Sequence, residues 1–322
     1  MKIVITENNF ASDLPEREVL AQVGLVPERH SCKTEEEMKE AGKDAEIVFV
    51  QFAPVNREVL DAWTACRLIV RYGIGYDNVD VAYAAERGIQ VCNVPAYCLD
   101  EVADHTCALI LSSARKIVAM HEAVKRGEWN AEGVARPMPK SSDTVIGLIG
   151  YGRIGERVSA RLKPFGFQIV VFDPYLSDAA AESKGVRKAS DWTAFLAEAD
   201  ILSMHVPLTD ETRHMINEQS LKLMKRSAVV VNTSRGALID TRALAKAIDE
   251  GVIGGAALDV FEQEPLEADH PLRSCRNVIL TPHAAYFSDS ALLTLQRQTA
   301  EEAVRYVKGE APASPVNRPV KR

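Results

Sequence analysis

A chain of 322 residues has room for two domains, each burying its own core. With 47% hydrophobic and 26% charged residues, the composition is globular and excludes disorder or a fibrous repeat. A net charge of −7, with no basic run beyond the Pro-Val-Lys-Arg end at Arg322, argues against nucleic acid as a direct partner. The apolar start, Met1 to Thr6, is too short for a signal peptide, and no stretch reaches the ~18 apolar residues of a membrane span, so no membrane is expected. The six cysteines (Cys32, Cys66, Cys92, Cys98, Cys107, Cys275) form no C-x-x-C pair and show no zinc spacing. Reduced, buried thiols in the cytoplasm are the simplest reading, and no metal site is expected.

In chain order, short apolar runs alternate with amphipathic stretches, the pattern of an α/β fold with parallel sheets covered by helices on both faces. A first series has candidate strands Ile3 to Thr6, Ile47 to Val50, Leu68 to Tyr72 and Gln90 to Val94, with a helix between Thr34 and Gly42. A long helix opened by Asp100 as N-cap follows, with Val102, Leu109, Ile110, Ile117 and Met120 on one face, reading as the crossover to a second domain. The polar segment Arg126 to Asp143, including Trp129, is an excursion for which an exposed arm binding a second subunit is one explanation. The second strand series begins at Thr144 and runs past Leu280; a helix then spans Asp289 to Lys308, and the Pro-rich tail from Glu310 is expected to be loose.

Gly150, Gly152 and Gly155 form G-x-G-x-x-G directly after the apolar run Val145 to Ile149. A helical pattern follows to about Lys163, and the strand Ile169 to Phe172 ends at Asp173, eighteen residues beyond Gly155. Glycines let the backbone close on a pyrophosphate at a helix N-terminus, and a carboxylate at the second strand's end accepts hydrogen bonds from ribose hydroxyls. That carboxylate would also repel a 2′-phosphate, so NAD is favoured over NADP.

Three further segments place polar residues just after apolar strands: Asn232 to Gly236 after Val229-Val230-Val231, Asp259 to Pro265 after Ala256-Ala257-Leu258, and Thr281-Pro282-His283 after Val278-Ile279-Leu280. Hydride transfer at a hydroxyl-bearing carbon needs a group that exchanges the hydroxyl proton, a partner that tunes it, and a cation for a carboxylate. His283, Glu264 and Arg235 supply one of each.

These motifs, together with Gly73-Ile74-Gly75-Tyr76-Asp77-Asn78-Val79-Asp80, Cys92-Asn93-Val94-Pro95 and His205-Val206-Pro207-Leu208-Thr209, resemble those of the D-isomer-specific 2-hydroxyacid dehydrogenases over nearly the whole chain. The resemblance implies that Arg235, Glu264 and His283 are catalytic. It implies that Gly73, Ile74 and Gly75 offer backbone amides to the substrate carboxylate alongside Arg235. For NAD it implies contacts from Ile74, Thr106, Gly150, Gly152, Arg153, Ile154, Gly155, Asp173, His205, Val206, Pro207, Thr233, Ser234, Asp259 and His283.

The resemblance also implies a Rossmann NAD domain at 101–289 inserted in a flavodoxin-like catalytic lid domain made of 1–100 and 290–322, with a homodimer formed through the NAD domain. The segments Asp173 to Asp178 and Pro282 to Tyr286 look most like the branch that includes the C-terminal binding protein corepressors and their bacterial relatives, although Tyr286 stands where a tryptophan usually follows. An NAD(H)-sensing module of the corepressor type is therefore the rival reading. Phosphoglycerate dehydrogenases are also similar, but Gln51 occupies the place of a basic phosphate partner. The substrate's tail would be read by residues around Gln51, Phe52, Arg71, Tyr97 and Tyr286, which follow no motif.

Overall fold

The computed structural model describes residues 1–320; Lys321 and Arg322, the basic end of the tail, lie outside them. The chain forms two compact units, Met1–Cys98 with Ser288–Arg322, and Leu99–Phe287.

The first unit contains β1 (Ile3–Ile5), α1 (Leu14–Leu20), β2 (Glu28–Arg29), α2 (Glu35–Gly42), β3 (Ile47–Val50), α3 (Arg57–Ala62), β4 (Leu68–Arg71), α4 (Val81–Glu86) and β5 (Gln90–Cys92). Its strands are all parallel in the order β2-β1-β3-β4-β5. Every residue of Ile47-Val48-Phe49-Val50 is buried, because a parallel strand covered on both faces exposes neither set of alternate side chains. Thr34 opens α2 with a reciprocal capping box to Glu37, which answers four otherwise orphaned amides in part and explains why the helix begins there. Asp80, the last residue of the Gly73 to Asp80 motif, caps α4 through the Tyr83 amide.

The second unit contains α5 (Leu99–Ala114), α6 (Ile117–Lys125), α7 (Ala131–Ala135), β6 (Val145–Ile149), α8 (Arg153–Leu162), β7 (Gln168–Phe172), α9 (Asp178–Ser183), β8 (Arg187–Lys188), α10 (Trp192–Glu198), β9 (Ile201–Met204), α11 (Glu218–Lys222), β10 (Val229–Asn232), α12 (Thr241–Asp249), β11 (Gly255–Leu258) and β12 (Val278–Leu280). Its parallel sheet runs β12-β11-β10-β9-β6-β7-β8, so the chain reverses direction across the sheet between β6 and β9. Ligands of doubly wound folds bind at that switch point, beyond the carboxyl ends of the strands. Separate apolar cores cover the sheet's two faces, one around Leu202, Val230 and Leu258 and the other around Leu148, Val171 and Val231.

The structure corrects three expectations. Asp100 is not the N-cap of α5, which starts one residue earlier; the carboxylate lies in the first turn and pairs with Arg161 at 2.7 Å and Arg157 at 3.3 Å. An acid in the first turn and an acid at the cap both suit the helix dipole, so composition marks the start without marking the capping residue. The expected long helix is two, broken where Lys116 takes a left-handed φ of 54°, and Ile117 ends 52% exposed. No glycine or proline marks the break, so helical periodicity runs on across it.

The tail, expected to be loose, is tied down. Val316 N donates to Val91 O at 2.9 Å, and Asn317 Oδ1 accepts from Val91 N at 2.8 Å along the outer edge of β5. Buried Glu302, on α13 (Asp289–Val307), accepts the Ala313 and Ser314 amides at 3.0 Å each. A strand edge offers a row of unpaired backbone groups, and the tail satisfies them where periodicity has nothing to detect.

Candidate active site

In the second unit, the glycine turn joins β6 to α8. Gly150 has a φ of +88°, and a Cβ there would lie 2.8 Å from His205 O; a Cβ at Gly155 would lie 2.5 Å from Gly150 O. Both positions therefore require glycine, one for backbone conformation and one for close helix packing. At Gly152 a Cβ would meet nothing within 4 Å, and α8 has no side-chain cap on its first amides. Open space in front of uncapped helix amides fits an anionic pyrophosphate.

Asp173 stands beside this turn. Its Oδ2 accepts from Tyr151 N and its Oδ1 from Tyr175 N, each at 2.8 Å, which fixes the carboxylate while leaving acceptor capacity for two hydroxyls. Across the switch point, His205 N donates to Ile149 O at 2.7 Å, and its Nε2 lies 3.0 Å from Ser203 Oγ. Burial pushes the His205 imidazole down to about 4, so the ring is neutral at physiological pH. These residues fit NAD: a dipole-backed amide cradle for phosphates and a carboxylate for ribose hydroxyls.

The catalytic candidates occupy the strand ends on the other side of the sheet. His283 Nδ1 lies 2.7 Å from Glu264 Oε2, while Glu264 Oε1 accepts from Phe261 N at 2.9 Å. Burial pushes the Glu264 carboxyl up, but the hydrogen bond and charge of His283, the Phe261 amide and the Arg235 charge outweigh it and hold it below the usual carboxylate range. His283 itself has a left-handed φ of 52°. That conformation costs a non-glycine residue energy, and the surrounding bonds impose it: Asp259 O accepts His283 N at 2.8 Å, Asp259 Oδ1 accepts Ala284 N at 2.8 Å and the Thr281 hydroxyl, and Asp259 Oδ2 accepts Ala285 N at 2.9 Å.

Arg235 follows β10 in an Asn232-centred turn, with Asn232 Nδ2 donating to Arg235 O at 2.8 Å and Asn232 Oδ1 accepting from Ser234 N at 2.9 Å. A Cβ at the next residue, Gly236, would lie 1.8 Å from the Phe261 carbonyl carbon. Only glycine lets the Arg235 loop rest on the loop that carries Glu264.

Two of the residues expected to contact NAD also brace neighbouring parts of the second unit. Thr106 is fully buried; its hydroxyl donates to Val102 O at 2.7 Å and meets Thr233 Oγ1 at 2.7 Å, so the side chain braces Thr233. Asp259 is likewise fully buried and holds the His283 turn. Sequence reasoning missed Glu262. Its Oε1 lies 2.6 Å from His214 Nε2 and its Oε2 accepts from Thr241 N at 3.0 Å and from the Thr241 hydroxyl, pinning the Glu264 loop to the start of α12. The only sequence signal was a second carboxylate close to Glu264.

In the first unit, the Gly73-Ile74-Gly75 turn follows β4. Gly73 has a φ of +136°, and a Cβ there would overlap the Arg71 guanidinium, with Nη1 1.8 Å away. Asn93 Nδ2 donates to Ile74 O at 2.6 Å and Val94 N to Gly73 O at 3.0 Å, so the turn's carbonyls are fixed from behind.

The sequence model described as D-isomer specific 2-hydroxyacid dehydrogenase, NAD binding domain matches residues 107–285, more than half of the chain. The chain belongs to this family. It is an oxidoreductase acting on 2-hydroxy acids, and its cofactor is NAD. The dehydrogenase is 38% identical to a glyoxylate reductase of Korarchaeum cryptofilum, over 92% of the chain and 94% of that relative. It is 40% identical to a D-3-phosphoglycerate dehydrogenase of Methanocaldococcus jannaschii over 99% of the chain, and it spans 60% of that protein's length. Its fold matches a D-lactate dehydrogenase of Aquifex aeolicus, solved with NAD and lactic acid, with a TM-score of 0.84 and 31% identity over 96% of both chains.

Proposed function

We propose that the dehydrogenase interconverts a small D-2-hydroxy acid and its 2-oxo acid, with glyoxylate, hydroxypyruvate or a short sugar acid as the substrate type. The observation that carries this reading is the 2.7 Å pairing of His283 Nδ1 with a Glu264 carboxylate whose other oxygen is fixed by the Phe261 amide. An ionised carboxylate on Nδ1 selects the tautomer and stabilises the imidazolium, which leaves Nε2 to exchange the proton with the substrate oxygen. When bound, NADH would supply the hydride in reduction, leaving NAD+, and NAD+ would accept it in oxidation. In the second unit Arg235 offers its planar donor fork to a carboxylate and the adjacent oxygen; in the first unit the Gly73 to Gly75 amides are donors suited to a carboxylate.

Two relatives suggest different substrates, and the first unit favours the smaller one. Gln51 is 2% exposed and its Oε1 accepts the Asn9 amide at 3.0 Å, so it offers no charge to a phosphate. Glyoxylate reductases are among the relatives, and Arg71 beside the Gly73 turn suits an acid with a polar tail.

A homodimer is supported by the exposed apolar side chains on and after α6, with Trp129 at 90%, Val124 at 52% and Ile117 at 52%. A cytoplasmic setting is supported by the six cysteines, all of them free thiols. Among the described residues, no helix is long and apolar enough to cross a membrane.

Turnover of a panel of 2-oxo acids with NADH, and of D- and L-2-hydroxy acids with NAD, tests the proposal. Activity on small 2-oxo acids and on D enantiomers alone is expected. No turnover of any panel member, together with tight NADH-dependent binding of a partner protein, would replace this reading by that of a sensor.

A further inference from the structure

The loop after β3, Gln51-Phe52-Ala53, is held by side chains far away in sequence. Glu7, just past β1, places Oε1 2.8 Å from Gln51 N, 2.7 Å from Phe52 N and 3.0 Å from Ala53 N. On the carbonyl side, Asn78 Nδ2 donates to Ala53 O at 2.9 Å and to Gln51 O at 3.4 Å. Gln51 in turn accepts Asn9 N, which ties the Glu7 loop to the one it holds.

Consecutive amides converging on one point make an anion-binding nest. Here the chain's own carboxylate fills it. With its amides and carbonyls held, the loop has its backbone fixed, and it carries Phe52, 39% exposed, whose ring centroid lies 5.8 Å from the Arg71 guanidinium carbon. The loop also stands at the carboxyl end of a parallel strand, the edge at which open α/β sheets take ligands, as does the Gly73 turn after the neighbouring β4.

We propose that Glu7 is a specificity-determining positioning residue: it fills the amide nest of the Gln51 to Ala53 loop, fixes Phe52 and Arg71 as the wall that meets the substrate's tail, and bars a second anionic group from the nest. This rests on the reading of the Gly73 turn as the substrate-carboxylate side of the first unit.

Glu7→Ala and Glu7→Gln in the full-length protein test it. Glu7→Ala raises KM for a small 2-oxo acid about tenfold, the scale of a slightly misplaced positioning group, while KM for NADH stays unchanged. Formate or acetate, entering the emptied nest, restores KM and raises the Tm of Glu7→Ala but not of wild type. Glu7→Ala also improves kcat/KM for 2-oxo dicarboxylic acids relative to monocarboxylic ones. Glu7→Gln keeps an acceptor oxygen in the nest and so keeps the wild-type KM for the small acid, but it removes the negative charge that repels a second carboxylate at the loop and so loses discrimination against the dicarboxylic one; this readout serves if Glu7→Ala does not fold. Unchanged KM and no formate effect in folded Glu7→Ala, or unchanged discrimination in Glu7→Gln, overturns the proposal. If wild type turns over no 2-oxo acid, the functional reading fails, and the formate-dependent Tm of Glu7→Ala still decides whether the nest exists.

Discussion

Glu264→Gln replaces one oxygen by an NH2 of the same size, and the structure dictates where that NH2 goes. Oε1 faces a donor, the Phe261 amide, at 2.9 Å, and Oε2 faces His283 Nδ1 at 2.7 Å. Keeping the remaining oxygen on Phe261 N turns the NH2 towards Nδ1. That ring nitrogen must then be an acceptor, which puts the imidazole proton on Nε2 in the neutral form and sets donor against donor in the imidazolium. Oxidation loses its base and reduction loses a stabilised acid. The charge-assisted bond lost is worth about 1.5 to 3 kcal/mol, and a donor left facing a donor costs about 1 to 3 more. Together these lower kcat about 10²- to 10⁴-fold, a range that includes the effect of the corresponding carboxylate-to-amide change in a serine-protease triad. The assay is NADH consumption with a saturating 2-oxo acid, in wild type and in Glu264→Gln. KM for NADH stays within about twofold, because the pairing lies away from the glycine turn. A variant with kcat within about threefold of wild type would show that Glu264 does not set the His283 tautomer.

Gly236→Ala forces a Cβ to within 1.8 Å of the Phe261 carbonyl carbon, so the Arg235 and Glu264 loops must part; we expect a loss of about 2 to 3 kcal/mol in unfolding free energy with a large fall in kcat, read by denaturant titration and turnover. His205 is held near 4 in the folded protein against 6.5 when unfolded, so between these values the unfolded chain takes up a proton the folded one refuses, and stability falls as pH drops through that window. Its contribution is about 2 kcal/mol once water's access to the ring is allowed for, and His205→Asn flattens the pH dependence of Tm between these limits. If the proposed homodimer forms through the arm, Trp129→Glu, placing a charge at its most exposed large apolar side chain, raises the dissociation constant at least about tenfold in sedimentation equilibrium. A monomer in wild type, or a dimer unaffected by the change, refutes that interface.

Much of this protein was readable from the chain alone, because its chemistry rests on short segments whose local geometry is dictated by residue type. The Gly150 to Gly155 turn, the acid at Asp173, and the strand-end positions of Arg235, Glu264 and His283 follow from apolar runs that end in turn-forming or polar residues. Helix ends were less secure: Asp100 satisfies the helix dipole without capping, and nothing in side-chain type announces the left-handed Lys116. What only the tertiary structure decided is which distant groups satisfy a given backbone. Glu7 on the Gln51 to Ala53 amides, Asp259 under the His283 turn, Glu262 between His214 and Thr241, and the tail along β5 pair residues that no periodicity links. A buried amide or carbonyl must find a partner, but the chain does not say locally which one, and only the folded path brings it within reach.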